Sequence, residues 1–298
     1  MQPDTDKPDT DKLNTFLDRA ERLLDRLEML LPPVLSEPDW DHSTAFRWRK
    51  QGARGYLQAV RHPHRLRLRD LQRIDRQKAE LERNIRQFLT DRPFNHVLLW
   101  GARGTGKSSL IKALLNEYAE QGLRLIEVDK HELIDLPSIV EPLYERPERF
   151  LLYCDDLSFG ADDPSYKALK AVLDGSISAA PDNVMLCVTS NRRHLLPEYM
   201  SENLDARLIN GELHHSEAVE EKISLSERFG LWLSFHPFNQ DDYLAIVEYW
   251  LKALGYAPGL DEDTRKAALQ WALQQGSRSG RVAWQFARDW VGRATIIK

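Results

Sequence analysis

Cysteine is scarce: the 298-residue chain has two, Cys154 and Cys187, each inside an apolar run. Two thiols are too few for a disulfide framework or a structural zinc site, so both read as small buried hydrophobes. Long hydrophobic runs are absent as well. No stretch approaches the ~20 apolar residues that span a bilayer, and no membrane partner is expected. No serine stands in a G-x-S-x-G elbow, which removes the signature of a Ser-His-Asp hydrolase. His62, His64, His214 and His215 have no cysteine nearby and no plausible ligand set, so they read as solvated rather than metal-bound. The start, MQPDTDKPDTDK, repeats PDTDK and lacks the basic region and apolar core of a secretion signal, which makes the cytoplasm the expected location.

What is present is 42% hydrophobic and 29% charged, a balance that suits a globular protein with one larger and one smaller domain. The net charge of −5 hides an asymmetry. Residues 1–41 carry eleven acids and five bases, with an amphipathic helical stripe (Leu13, Phe16, Leu17, Ala20, Leu23, Leu24, Leu27, Leu30) that ends at Pro32-Pro33. Residues 42–69 carry eight bases (Arg47, Arg49, Lys50, Arg54, Arg61, Arg65, Arg67, Arg69), no acid, and interleaved Phe46, Trp48 and Tyr56. Such a segment binds nucleic acid or an acidic surface, or else pairs with acids of its own chain or shapes an ATP-binding edge.

From residue 70 onward apolar runs alternate with helical periodicity, which predicts strands near 95–100, 123–128, 149–154, 184–189 and 231–235 in a parallel sheet flanked by helices. Ligands of such sheets bind beyond the carboxyl ends of the strands. After the first run comes Gly101-Ala102-Arg103-Gly104-Thr105-Gly106-Lys107-Ser108-Ser109, which matches G-x-x-x-x-G-K-[S/T] at every fixed position and leads into a helix through Leu110, Ile111, Leu114, Leu115 and Tyr118. A Gly-rich turn opening a helix aims N–H groups and the positive helix end at one place, which suits polyphosphate. Lys107 then reaches the β- and γ-phosphates, Ser108 supplies an oxygen to Mg²⁺, and Ser109 extends the helix. The third run ends in Asp155-Asp156, a strand-then-acid arrangement in which Asp155 serves Mg²⁺ and Asp156 polarises the attacking water. The fourth leads to Asn191, with Thr189 as the alternative for positioning that water.

GARGTGKSS, LLYCDDLSF, VTSNRRHLLPE, EKISLSERFGLWLSF and GSRSGRVAWQF occur in the order of an AAA+ ATPase. The set resembles a bacterial family of AAA+ ATPases defined mainly as a domain of unknown function, and its Asp-Asp pair and SERFG segment are most similar to the replication initiator DnaA. The resemblance covers about residues 42–298. It implies an α/β P-loop NTPase of AAA+ type: a parallel five-stranded sheet flanked by helices, with a small helical lid and a helical N-terminal extension. The implied division is 1–41 as acidic extension, 42–69 as basic linker, 70–237 as nucleotide-binding core and 238–298 as lid. It also implies that Arg228 is an arginine finger acting on a neighbouring subunit of a homo-oligomer, and that Arg281, with Arg278 as runner-up, is the lid arginine contacting the γ-phosphate. Ile74 falls in the region that meets adenine, where Arg73 stands in place of a frequent glycine. Asp156 stands where most AAA+ enzymes have Glu, which implies slow turnover. Three functional classes follow: a Mg²⁺-dependent AAA+ ATPase acting on an unidentified macromolecular client, a nucleotide-gated DNA- or protein-binding module, and, least favoured, a small-molecule P-loop kinase.

Overall fold

The computed structural model describes residues 14, 16–17, 19–22, 38–52, 54–159, 164–174, 181–193, 195, 207–209, 212–214 and 225–296. The PDTDK repeat, Pro32-Pro33, most of the N-terminal leucine stripe and His215 lie outside them. Of the stripe, Phe16 and Leu17 are helical and exposed.

Each predicted apolar run is a strand: β3 (Val97–Gly101), β4 (Leu123–Glu127), β5 (Arg149–Cys154), β6 (Val184–Ser190) and β9 (Leu231–Phe235). Their side chains alternate between two cores. Leu98, Phe150, Leu152, Val184, Leu186 and Val188 face one, while Val97, Leu99, Leu151, Tyr153, Met185 and Cys187 face the other. A parallel sheet covered on both sides needs such doubly apolar strands. Helices α1 (Asp75–Leu89) and α2 (Lys107–Tyr118) cover the second face through Leu81, Ile85, Phe88, Leu110, Ile111 and Leu114. The first is covered by the short α3 (Leu136–Val140) and by α4 (Pro164–Asp174).

The expected sheet of five parallel strands is a seven-stranded mixed sheet, ordered β2-β1-β4-β5-β6-β3-β9. The additions come from the segment expected to be a basic linker. Strand β1 (Ala45–Gln51) pairs parallel to β4 and antiparallel to β2 (Arg54–Ala59). Phe46 and Trp48 turn inward on β1, so its arginines alternate outward. Two further short strands, β7 (Arg207–Ile209) and β8 (Glu212–His214), form a separate hairpin.

After β9, helices α5 (Gln240–Ala253), α6 (Glu262–Gln274) and α7 (Gly280–Ile296) close on a third core of Tyr243, Leu244, Val247, Ala268, Ala283 and Phe286. Trp250 packs on Trp284 with ring centroids 4.4 Å apart, and Phe286 stacks on Trp290 at 5.4 Å. Asn239 and Asp261 cap α5 and α6 by accepting from the N–H groups of Asp242 and Thr264. Among the described residues no helix is long and apolar enough to cross a membrane. Both cysteines are buried and unpaired.

Candidate nucleotide site

The loop between β3 and α2 follows a path that its glycines permit. Gly101, Gly104 and Gly106 have φ of 129°, 75° and 106°, in the region that L-residues avoid. The Ala102 N–H donates to the Phe235 carbonyl at the tip of β9 (3.0 Å), and the Thr105 hydroxyl donates back to the Ala102 carbonyl (2.8 Å). Residues Lys107 and Ser108 open α2, so the helix's unpaired N–H groups face the loop.

Three strand ends converge here because β6 lies between β5 and β3. The Ser108 hydroxyl donates to Asp155 Oδ1 at 2.7 Å, and the buried Thr189 hydroxyl donates to the same oxygen. Thr189 Oγ1 also accepts the Asp156 N–H at 2.9 Å. Partial desolvation works to raise the Asp155 carboxyl, but the hydrogen bonds from Thr189 and Ser108 outweigh it and hold the group below the ordinary aspartate value. Lys107, 7% exposed, donates to the carbonyls of Gly101 and Ala102, each at 2.8 Å, and to Asn191 Oδ1 at 3.3 Å. Its burial depresses the ammonium pKa, opposed by Asp155 and Asp156 and reinforced by Arg103. The Asn191 amide donates to Asp156 Oδ1, and Arg103 pairs with the other oxygen of that carboxylate at 3.5 Å. Asp156 itself has φ of 51°.

Gly101–Ser109, Asp155, Asp156, Thr189 and Asn191 therefore gather in one place. The donor set of one carboxylate and one primary hydroxyl, both hard oxygens, fits Mg²⁺. Ile74 lies beside the loop, since a Cβ on Gly106 would meet its Cδ1 at 3.4 Å. Arg73 has φ of 64°, which accounts physically for a glycine preference at that position.

The helical cluster touches the loop directly. Gly280 N–H donates to the Gly104 carbonyl at 3.0 Å, and a Cβ on Gly104 would sit 2.8 Å from Ser279 Oγ and 3.6 Å from the Arg281 Cβ. Arg281 thus stands over the loop in the first turn of α7, whereas Arg278 lines a neighbouring cavity of about 830 Å³ together with Arg103, Phe238 and Leu269. None of Lys107, Ser108 and Asp155 lines that cavity, which is thus distinct from the carboxylate cluster.

Arg228 is not brought to this cluster. It precedes β9, whose Phe235 pairs with Gly101 and whose Leu231 pairs with Val97 at the far end. Four intervals of about 3.3 Å already separate those ends by roughly 13 Å. The buried Phe229 anchors the turn that carries Arg228.

Sequence reasoning ranked Thr189 second and did not foresee its double bond to the acidic pair, the Arg103–Asp156 contact or the Ser279–Gly104 approach. The only available signal was the polar Thr189-Ser190 ending an apolar run.

A family model described as Protein of unknown function (DUF815) matches residues 41–294. No curated protein matches the chain. Similar solved structures include the RuvB Holliday junction branch migration motor of Thermotoga maritima, 16% identical, with a TM-score of 0.53 over 78% of this chain and 66% of that one. A point mutant of that motor gives 15% identity and a TM-score of 0.53 over the same shares. The chain thus spans 66% of the length of the motor it matches. At this identity the likeness shows the fold alone: an α/β architecture of the kind seen in that motor.

Proposed function

The chain belongs to the DUF815 family and shares the α/β fold of the RuvB motor, and from that premise we propose that it is an AAA+ P-loop ATPase that binds ATP with Mg²⁺ and hydrolyses it to act on a macromolecular client. The observation that carries this reading is the hydrogen-bonded meeting of Ser108, Asp155 and Thr189, joined through the Asp156 N–H to Asp156, Asn191 and Lys107. Arriving phosphates draw the Lys107 ammonium away from the Gly101 and Ala102 carbonyls, and the loop N–H groups hold the anion. Ser108 and Asp155 offer their oxygens to Mg²⁺, which would neutralise charge on the β- and γ-phosphates. Asp156 takes the proton of the attacking water, and Asn191 fixes the orientation of that carboxylate. Arg281 reaches the γ-phosphate from α7, which makes residues 238–298 a lid on a core of 70–237. Arg228, remote from its own loop, serves a neighbouring copy, so activity requires a homo-oligomer. The Asp155-Asp156 pair and the Ser226–Gly230 segment also favour kinship of the core with DnaA.

A second reading, a nucleotide-gated module with slow turnover, is favoured by the Asp156 carboxylate. It is shorter than Glu and already engaged by Asn191 and Arg103.

Phosphate release and ATP binding test the proposal. Asp156→Asn should abolish release while retaining ATP, and Lys107→Ala should lose ATP. Undiminished release by Asp156→Asn removes that residue from the base role, and full ATP affinity in Lys107→Ala ends the phosphate assignment.

A further inference from the structure

The eight bases of residues 42–69 divide sharply in the fold. Arg47 pairs with Glu127 at 2.6 Å, Arg49 with Asp129 at 3.4 Å and Lys50 with Asp135 at 2.6 Å, so these three are neutralised along β1. Arg54, Arg61, Arg65, Arg67 and Arg69 are all exposed and make no ion pair among the described residues. Arg61, Arg65 and Arg67 lie on an extended strap that runs from the end of β2 across α2, and Arg69 lies on the short 3-10 turn (Leu68–Asp70) that ends it. Asn116 on α2 holds the strap down, donating to the His64 and Leu66 carbonyls at 2.6 Å each. Leu66 and Leu68 pack on the core beneath, which leaves Arg65, Arg67 and Arg69 turned outward.

We propose that this strap, together with Arg54 at the start of β2, is a binding surface for the phosphate backbone of duplex nucleic acid. Five guanidiniums within sixteen residues, without an ion pair among the described residues, make a local positive field on a protein of net charge −5. Guanidinium matches phosphate oxygens in a bidentate fork. The strap is pinned to a helix, so its arginines are presented with part of the ordering cost already met. Tyr56 is half-buried and no exposed Phe, Tyr or Trp occurs among the described residues 54–70, so the surface lacks the large stacking platforms that favour single strands.

The experiment is a fluorescence-anisotropy titration of the full chain, without nucleotide, against a labelled duplex of mixed sequence at several salt concentrations. If five phosphates are neutralised, affinity falls about 500-fold between about 50 and about 200 mM salt; for R65Q/R67Q/R69Q it falls only about 12-fold. The variant should keep its far-UV circular dichroism and its ATP affinity, while Arg47→Gln should keep the steep salt dependence. Absence of duplex binding by the parent at low salt overturns the proposal, as does an unchanged salt slope in the triple variant. Tighter binding of polyglutamate than of duplex overturns it in favour of an acidic protein surface. Because no nucleotide is present, the result is independent of whether the site described above hydrolyses ATP.

Discussion

Replacing Thr189 with valine isolates the bond that organises the acidic pair. The side chain is 1% exposed and valine is nearly isosteric, so the change removes one hydroxyl and leaves packing alone. Two interactions go. The hydroxyl's bond to Asp155 is charge-assisted, a class worth about 1.5–3 kcal/mol, but Asp155 is exposed and water screens it, so about 1 kcal/mol is the reasonable share. The Asp156 N–H loses its 2.9 Å acceptor yet keeps a longer contact of 3.2 Å to Asp155 Oδ1, which limits that loss to about 0.5–1 kcal/mol. The sum is about 1.5–2 kcal/mol, read as a lower urea midpoint at unchanged slope in the absence of nucleotide. Thr189→Ser should recover most of it, because the hydroxyl returns. A loss below about 0.5 kcal/mol for valine, or a serine variant no better than valine, refutes the idea that this hydroxyl holds the two aspartates in place.

The remaining expectations concern the loop, the oligomer and pH. Gly104→Ala should cost about 1–2 kcal/mol of backbone strain plus a clash with Ser279, and adding Ser279→Gly should return the clash portion only; additive losses in urea melts would refute the contact. Mixing Arg228→Ala with Asp156→Asn chains should restore part of the phosphate release that each lacks alone, and a mixture as inactive as its components denies a shared site. His96 is neutral because burial lowers its pKa to about 4, and its Nδ1 accepts the Leu186 N–H at 3.1 Å. The folded-state value lies below the unfolded 6.5, so the associated stability is complete above pH 6.5 and is lost as pH falls toward 4. The full loss approaches about 3 kcal/mol, and His96→Gln should flatten that slope in calorimetric melts.

The five parallel strands were legible because a sheet buried on both faces writes itself as unbroken apolar runs, and Phe150–Cys154 and Val184–Val188 have no competing helical period. The glycine loop was legible because its path demands residues free of Cβ. Strand β1 was hidden for the opposite reason. Phe46-Arg47-Trp48-Arg49 alternates as a strand should, but the arginines drew attention as charge, and their partners Glu127 and Asp129 lie 80 residues away. Nothing local in Thr189 announces that it bridges to β5, since the strand order that makes them neighbours is a property of the whole sheet. The contact of Gly104 with Ser279 is likewise invisible along the chain, separated by most of the fold.

The bond from Gly280 to Gly104 joins peptide to peptide, with no side chain on either end. Messages passed through long side chains can be retuned by a single substitution, whereas this link persists under almost any exchange of surrounding residues. The glycine loop and the last helix are consequently spliced by their backbones, and repositioning one must tug the other regardless of how the protein's surface diverges.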